Sequence, residues 1–290
     1  RFLIAGAGAT AAFVAGCSSD DDAASDSATT EATGTTEAPT DAGATTVPTD
    51  TTPTTVPLSA AAAAAIVAPG SPGLIDEAVW QTRIDEYLEF ATSVDHSSNP
   101  SGINAYLGRA RRDPDFVWPI ETVTVESLGA VFTQIDNWED TRDFRFMDLH
   151  WMLALGQGDT PMTQLSPEVI AAIDERMLAN RYAWDDPLPD DRLDNLWYWS
   201  ENHIVITRAI EYLAGQRYPD ETFAVTGLTG AEHLERAKPF ILEWIAERAE
   251  LGFFEWHSNV YMLKNITPLH MLVELADDPE VVVAAAMALD

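Results

Sequence analysis

The chain has very little cysteine and very little lysine, and each shortage narrows what the protein can be. Cys17 is the only cysteine, so no disulfide bond can form within the chain, and packing alone must hold the fold together. Lys238 and Lys264 are the only lysines, while 47 acidic residues give a formal net charge of −31. Nucleic acids and anionic lipid headgroups bind basic surfaces, so we expect neither as a partner.

Long apolar runs are missing as well. The run over residues 2–16 is too short and too rich in glycine to span a bilayer permanently. It leads into Val14-Ala-Gly-Cys17, which resembles a bacterial lipobox, and Arg1-Phe-Leu-Ile resembles the end of a twin-arginine export signal. We expect residues 1–17 to be an export signal, with Cys17 lipidated and anchoring the protein to the membrane outside the cytoplasm. An apolar N-terminus with an incidental cysteine is the alternative.

Aromatic residues are absent from residues 18–73, which consist mainly of Thr, Ala, Asp, Ser and Pro. Such a segment cannot bury enough apolar area to offset the entropy lost on ordering. We expect a disordered linker here, followed by one domain over residues 74–290. That domain holds 39 of the acidic residues and 15 of the basic ones, so the acidity belongs to the folded part.

Strand-like alternation is missing from the domain, and helical periodicity takes its place. Ser166-Pro-Glu predicts a helix start with an N-cap serine and a first-turn proline, and the helix over 232–251 ends at Gly252. Successive helices joined by uneven loops indicate antiparallel helical hairpins, so the predicted fold class is all-α. The last apolar run, residues 281–289, has no cap or polar tail, and we expect the fold to continue beyond it.

Two stretches about fifty residues apart combine acids, histidine, asparagine and aromatic rings. Aromatic faces stack on sugar rings, while Glu, His, Asn and Tyr supply proton transfer and oriented hydrogen bonds. We therefore expect a polysaccharide or oligosaccharide as the partner. The first stretch contains Tyr198, Trp199, Ser200, Glu201, Asn202 and His203, and the second contains Glu255, Trp256, His257, Asn259 and Tyr261.

These features together resemble the (α/α) toroid proteins that act on polysaccharides, which include heparinase-like and alginate lyases and six-hairpin glycosidases. Three segments (198–203, 211–215 and 252–261) also resemble a group of large secreted bacterial and fungal proteins with a Trp-Ser-Glu-Asn-His motif. The resemblance runs from about Thr141 to the C-terminus. It implies part of an (α/α) toroid and a secreted, carbohydrate-active enzyme, but its motifs do not name the reaction.

The resemblance to toroid lyases implies β-elimination on a glycan that contains uronic acid. In that mechanism Asn202 neutralises the substrate carboxylate, His203 removes the proton at C5, and Tyr261 protonates the leaving oxygen. The expected substrate-binding residues are Tyr198, Trp199, Trp256, His257, Asn259 and Arg208.

Two alternatives remain open. Glycoside hydrolysis needs two carboxyl groups on either side of the scissile bond, and Glu201 and Glu255 are the candidates. A glycan-binding protein without catalysis would keep the same cleft. A purely structural interpretation is that Ser200 caps a helix and Glu201 favours its positive end. The histidines lack the spacing of a strong metal site, so we expect neither a metal nor another cofactor.

Overall fold

The computed structural model describes residues 77–94 and 98–289, and this part of the chain is helical. It contains no β-strand within those ranges, which confirms the predicted all-α class. The predicted export signal, Cys17 and the linker lie outside the described residues. The helices are α1 (Glu77–Ala91), α2 (Pro100–Arg112), α3 (Gly129–Asp136), α4 (Arg142–Leu155), α5 (Pro167–Ala179), α6 (Glu201–Arg217), α7 (Gly230–Leu251), α8 (Tyr261–Leu275) and α9 (Pro279–Leu289), with short 3-10 turns at Ile120–Thr122 and Pro161–Thr163.

Local capping chemistry sets several helix ends. The Ser166 side chain accepts from the backbone N–H of Val169 at the start of α5, as its sequence predicts. Gly252 ends α7 with φ of 77°, a left-handed conformation that glycine adopts without strain. The sequence predicts a break before Pro268, but α8 runs through this proline, because its buried face packs against α6 and α9. Tertiary packing therefore outweighs the local cost of proline.

Four helices form an inner layer in which α2 contacts α4, α4 contacts α6, and α6 contacts α8. These helices run parallel. Hydrogen bonds join first turns to first turns and last turns to last turns, in the pairs His203 with Asp143, Asn265 with Glu201, Arg111 with Leu155, and Gln216 with Leu275. The N-terminal ends of α4, α6 and α8 therefore lie at one end of the layer, while α2 begins level with the middle of α4, where Ser101 contacts Asp148.

The remaining helices pack outside this layer, with α3 and α5 against α4, α7 against α6, and α9 against α8 and α7. Helices α6 and α7 form an antiparallel hairpin. A Cβ atom at Gly215 would lie 2.5 Å from the carbonyl oxygen of Gly230, so the two backbones touch where the hairpin closes. At the open end, Nε1 of Trp244 donates to the carbonyl of Glu201 at 3.2 Å. Helices α4, α6 and α8 are thus each contacted by the helix that follows them, whereas α2 is contacted by the preceding helix, α1.

The core fills the space between the two layers with aliphatic and aromatic side chains. Phe146, Leu149, Ile206, Ile210 and Ile241 are completely buried within it. Within the described part of the chain, no helix combines the length and apolar character needed to cross a membrane.

Candidate functional site

The first turns of α4, α6 and α8 meet at the N-terminal end of the inner layer. Ser200 is the N-cap of α6, and its hydroxyl accepts from the backbone N–H of His203. This cap places Glu201, Asn202 and His203 in the first helical turn, at the end of the layer rather than deep within it. Ser200 therefore caps the helix, as the structural interpretation predicts, and the same cap brings Glu201, Asn202 and His203 together.

The two polar stretches contact each other across this end. The Glu201 carboxylate accepts the backbone N–H groups of Phe254 and Glu255, each at 3.0 Å. Asn202 Nδ2 donates to Glu255 Oε1 at 2.7 Å. The loop after α7 is therefore bound directly to the start of α6.

Glu201 is occupied on every side by protein donors. Besides the two backbone N–H groups, it forms a salt bridge with Arg248 at 3.1 Å and accepts from Asn265 Nδ2 at 3.2 Å. Its side chain is 5 % exposed. The carboxylate therefore joins α6, α7, α8 and the loop, and it has little freedom to reach a ligand.

His203 and Asp143 form a buried pair across α6 and α4. Nδ1 of His203 lies 2.6 Å from Oδ2 of Asp143, and the two side chains are 9 % and 0 % exposed. Since the carboxylate accepts from Nδ1–H, the neutral ring presents Nε2 as its basic nitrogen. No described residue donates to or accepts from Nε2.

The charge of Asp143 tunes this histidine. Burial lowers the pKa of His203, but the hydrogen bond and charge of Asp143, with the charges of Asp140 and Glu255, outweigh that effect. The pKa of His203 therefore lies above its usual value of 6.5. A histidine held and polarised by a carboxylate in this way is chemically able to accept a proton.

Phe144 connects the histidine to a lysine that sequence reasoning missed. The rings of Phe144 and His203 stack with centroids 5.2 Å apart and planes 6° apart. Nζ of Lys264, on the first turn of α8, lies 4.3 Å from the centroid of Phe144. Lysine is so rare in this chain that Lys264 could have been singled out from the sequence. Its contact with Phe144, however, is not indicated by the spacing of the two residues along the chain.

Exposed aromatic rings border the site. Trp199 directly precedes the cap of α6, is 64 % exposed, and packs against Trp197 with ring centroids 4.9 Å apart. Trp256 follows Glu255 and is 62 % exposed. Exposed rings of this size are available for contact with a ligand. Others of the second stretch that are exposed are Phe254, His257, Asn259 and Tyr261.

Tyr198 and Arg208 have their polar atoms engaged inside the protein. The Tyr198 hydroxyl lies 2.8 Å from both Asp194 and Arg142, in a buried network that fixes the segment before α6. Arg208 forms a 2.8 Å salt bridge with buried Glu211 and lies over the ring of Phe240. The sequence predicts that Tyr198 and Arg208 bind substrate, and in the structure their polar atoms are bonded to other protein groups.

Asp148 is a second buried carboxyl group on α4, and Ser101 Oγ donates to it at 2.9 Å. Burial raises its pKa to about 6, against the hydrogen bond from Ser101 and the positive charges of Lys264 and Arg145. The folded protein thus binds this proton more tightly than the unfolded chain does. The contribution of Asp148 to the free energy of unfolding therefore falls as the pH rises from about 4 to about 6.

We expect Asp148→Asn to raise the free energy of unfolding by about 1–3 kcal/mol at pH 7, because it removes a buried charge and keeps an acceptor for Ser101. At pH 4 the gain should largely disappear. Urea unfolding of the wild-type protein and of Asp148→Asn at pH 4 and pH 7 measures the change. Burial lowers the pKa of His150 to about 3, and the contribution of this residue cancels when the two proteins are compared at the same pH. An equal effect at both pH values would contradict the account.

A cavity of about 750 Å³ lies away from this site, between α1 and α2. Its lining includes Arg109, Arg112, Asp85 and Glu89, and Arg112 forms a 2.7 Å salt bridge with Asp85. None of the residues of the two polar stretches line it. The cavity therefore adds nothing to the chemistry of the site.

Within the described ranges, no three His, Cys, Asp or Glu side chains are arranged to hold a metal ion. Comparison of the chain with protein-family models, curated proteins and solved structures gives no significant match. The geometry of the site therefore has to support any assignment of function.

Proposed function

We propose that the protein is a carbohydrate-active enzyme that cleaves a glycan containing uronic acid by β-elimination. The observation that carries this proposal is the Asp143–His203 pair, which leaves a basic nitrogen in the first turn of α6, the helix whose N-cap directly follows the exposed Trp199. A histidine held by a buried carboxylate is suited to removing a proton from carbon when the ring is neutral.

In the proposed step, Nε2 of His203 removes the proton from C5 of the uronic acid residue. The electron pair of that bond forms the C4–C5 double bond, and the bond from C4 to the glycosidic oxygen breaks. The phenol of Tyr261, which is exposed at the start of α8, gives its proton to the leaving oxygen. Transfer of the proton from His203 back to Tyr261 through water restores the site.

This mechanism requires a neutral His203, so the rate should increase as the pH rises through the raised pKa of this residue. Asn202, which the resemblance assigns to the substrate carboxylate, has its Nδ2 bound to Glu255 in the structure without substrate. It can reach a carboxylate only by exchanging that hydrogen bond.

Hydrolysis by Glu201 and Glu255 has less support. Arg248, Asn265 and two backbone N–H groups already hold the Glu201 carboxylate. Both carboxylates also contact the same nitrogen, Asn265 Nδ2, at 3.2 and 2.8 Å. A sugar ring has no space between two groups that share one hydrogen-bond donor. The arrangement therefore favours elimination over this pair acting on a glycosidic bond.

The helix arrangement supports the fold part of the proposal. Parallel inner helices, of which α4, α6 and α8 each contact the next helix in the chain, are the arrangement expected of part of an (α/α) toroid. The polar side chains lie at the N-terminal ends of the inner helices, where a toroid would open. We also propose that Cys17 anchors the protein to a membrane outside the cytoplasm, on the basis of its lipobox-like sequence alone.

The test is incubation with a panel of uronic acid polymers and neutral polysaccharides. Elimination should produce ultraviolet absorbance from the unsaturated ends, in step with new reducing ends, on an acidic polymer only. Reducing ends without absorbance would overturn elimination in favour of hydrolysis. Binding without either product would support a glycan-binding protein without catalysis.

A further inference from the structure

We propose that the ammonium group of Lys264 is the anion subsite of this site and binds the carboxylate of an acidic sugar residue. This inference rests on the proposed function and deepens it, because it names the group that recognises the acid. Elimination beside a carboxylate needs such a group, since negative charge develops on the substrate as the C5 proton leaves.

Lys264 is a cation that forms no salt bridge within the described part of the chain. The other lysine, Lys238, forms salt bridges with Asp278 at 2.6 Å and Glu280 at 2.7 Å. No carboxylate in the described ranges lies within salt-bridge distance of Lys264 Nζ, although the sequence contains 47 acidic residues. Lys264 is half-buried, and its ammonium group has no salt-bridge partner among the described residues. It is therefore available to bind an anion from a ligand.

The position of Lys264 suits a carboxylate on the sugar that His203 attacks. The ring of Phe144 contacts both side chains, the imidazole by stacking and the ammonium by a cation–π contact. In a uronic acid the carboxyl group is attached to C5, the carbon that loses its proton. Base and cation must therefore both reach the same sugar residue, and each lies against the Phe144 ring, at 5.2 Å for the imidazole and 4.3 Å for the ammonium.

Phe144 helps to hold Lys264 in place, because it contacts the ammonium directly. Asp148 interacts electrostatically with Lys264 without forming a salt bridge. The next residue, Asn265, ties α8 to Glu201 and Glu255, so the first turn of this helix is fixed. The Oδ1 atom of Asn265 is buried and has no hydrogen-bond partner among the described residues. A fixed cation requires little reorganisation when an anion binds.

Competitive acetylation of the two lysines tests the subsite without requiring turnover. The full chain is treated with a limiting amount of acetic anhydride, with and without galacturonate or glucuronate, and the modification at each lysine is measured by mass spectrometry. We expect either uronate to slow acetylation of Lys264 several-fold, and glucose or galactose to leave it unchanged. Lys238 is the internal control and should react at the same rate throughout. Equal reactivity of Lys264 in every sample would overturn the proposal.

Substitution separates this proposal from the proposed function. On the polymer that wild-type protein cleaves, Lys264→Gln should raise KM by roughly 10- to 100-fold, the loss expected for one charge-assisted hydrogen bond. Lys264→Arg should restore most of the affinity, and Lys238→Gln should behave as wild type. Unchanged KM in Lys264→Gln would reject the subsite and leave elimination standing. Protection of Lys264 by uronates without cleavage of any polymer would reject elimination and support the subsite.

Discussion

Turnover of the acidic glycan should fall by roughly 10²–10⁴-fold when His203 is replaced by glutamine, which is the usual contribution of a general base. Glutamine keeps a polar side chain beside Asp143 but cannot take up a proton. The free energy of unfolding should change much less than the rate. Initial rates at saturating polymer, together with a urea unfolding curve for each protein, provide the measurement.

His270→Gln is the matched control, since this histidine lies further along α8, six residues after Lys264. It should retain wild-type rates. Asp143→Asn gives an independent check, because loss of the carboxylate should lower the pKa of His203 in a nuclear magnetic resonance titration. The pH at which the rate rises should move down with it. Wild-type turnover in His203→Gln would remove this residue from the mechanism.

Replacing Glu201 with alanine should lower the free energy of unfolding by about 3–5 kcal/mol, because the buried guanidinium of Arg248 would lose its buried partner. The backbone N–H groups of Phe254 and Glu255 would also lose their acceptor. Urea unfolding monitored by tryptophan fluorescence measures the loss.

Glu247→Ala is a matched control for this variant, because Glu247 pairs with the same Arg248 at 3.1 Å but is 54 % exposed. Removal of that exposed partner should cost less than about 1 kcal/mol. If Glu201→Ala were as stable as Glu247→Ala and yet inactive, the carboxylate would have a chemical role, and hydrolysis would regain support.

Local rules predicted much of the helical framework. Ser166 and Ser200 cap helices because each has an extended backbone and its hydroxyl accepts from a backbone N–H group of the first helical turn. Pro268 breaks the same rules, since tertiary contacts keep α8 continuous around it. Helix ends that are set by capping residues could therefore be predicted from the sequence, while helix ends that depend on packing against other helices could not.

The candidate site was only partly predictable. Asn202 and Glu255, which contact each other, belong to the two polar stretches that the sequence composition singles out as candidate site segments. Asp143 is 60 residues from His203, and no spacing along the chain indicates that α4 and α6 run parallel with these residues adjacent. Pairing of this kind is decided by how the helices pack, so it became visible only in the structure.

The different placement of Tyr198 has a simpler cause. The segment before α6 is not helical, and its side chains alternate, with Trp197 and Trp199 exposed and Leu196 and Tyr198 buried. This alternation directs the side chain of Tyr198 inward, where its hydroxyl contacts Asp194 and Arg142.

The parallel inner helices also determine how an acidic polymer would approach. The positive ends of α4, α6 and α8 lie together at the candidate site, while the molecule as a whole carries a formal net charge of −31. At low ionic strength the long-range repulsion between two polyanions slows their encounter, whereas the short-range attraction at these helix ends acts only after contact. Added salt screens the first more than the second, so association with such a polymer would be faster in saline surroundings than in fresh water.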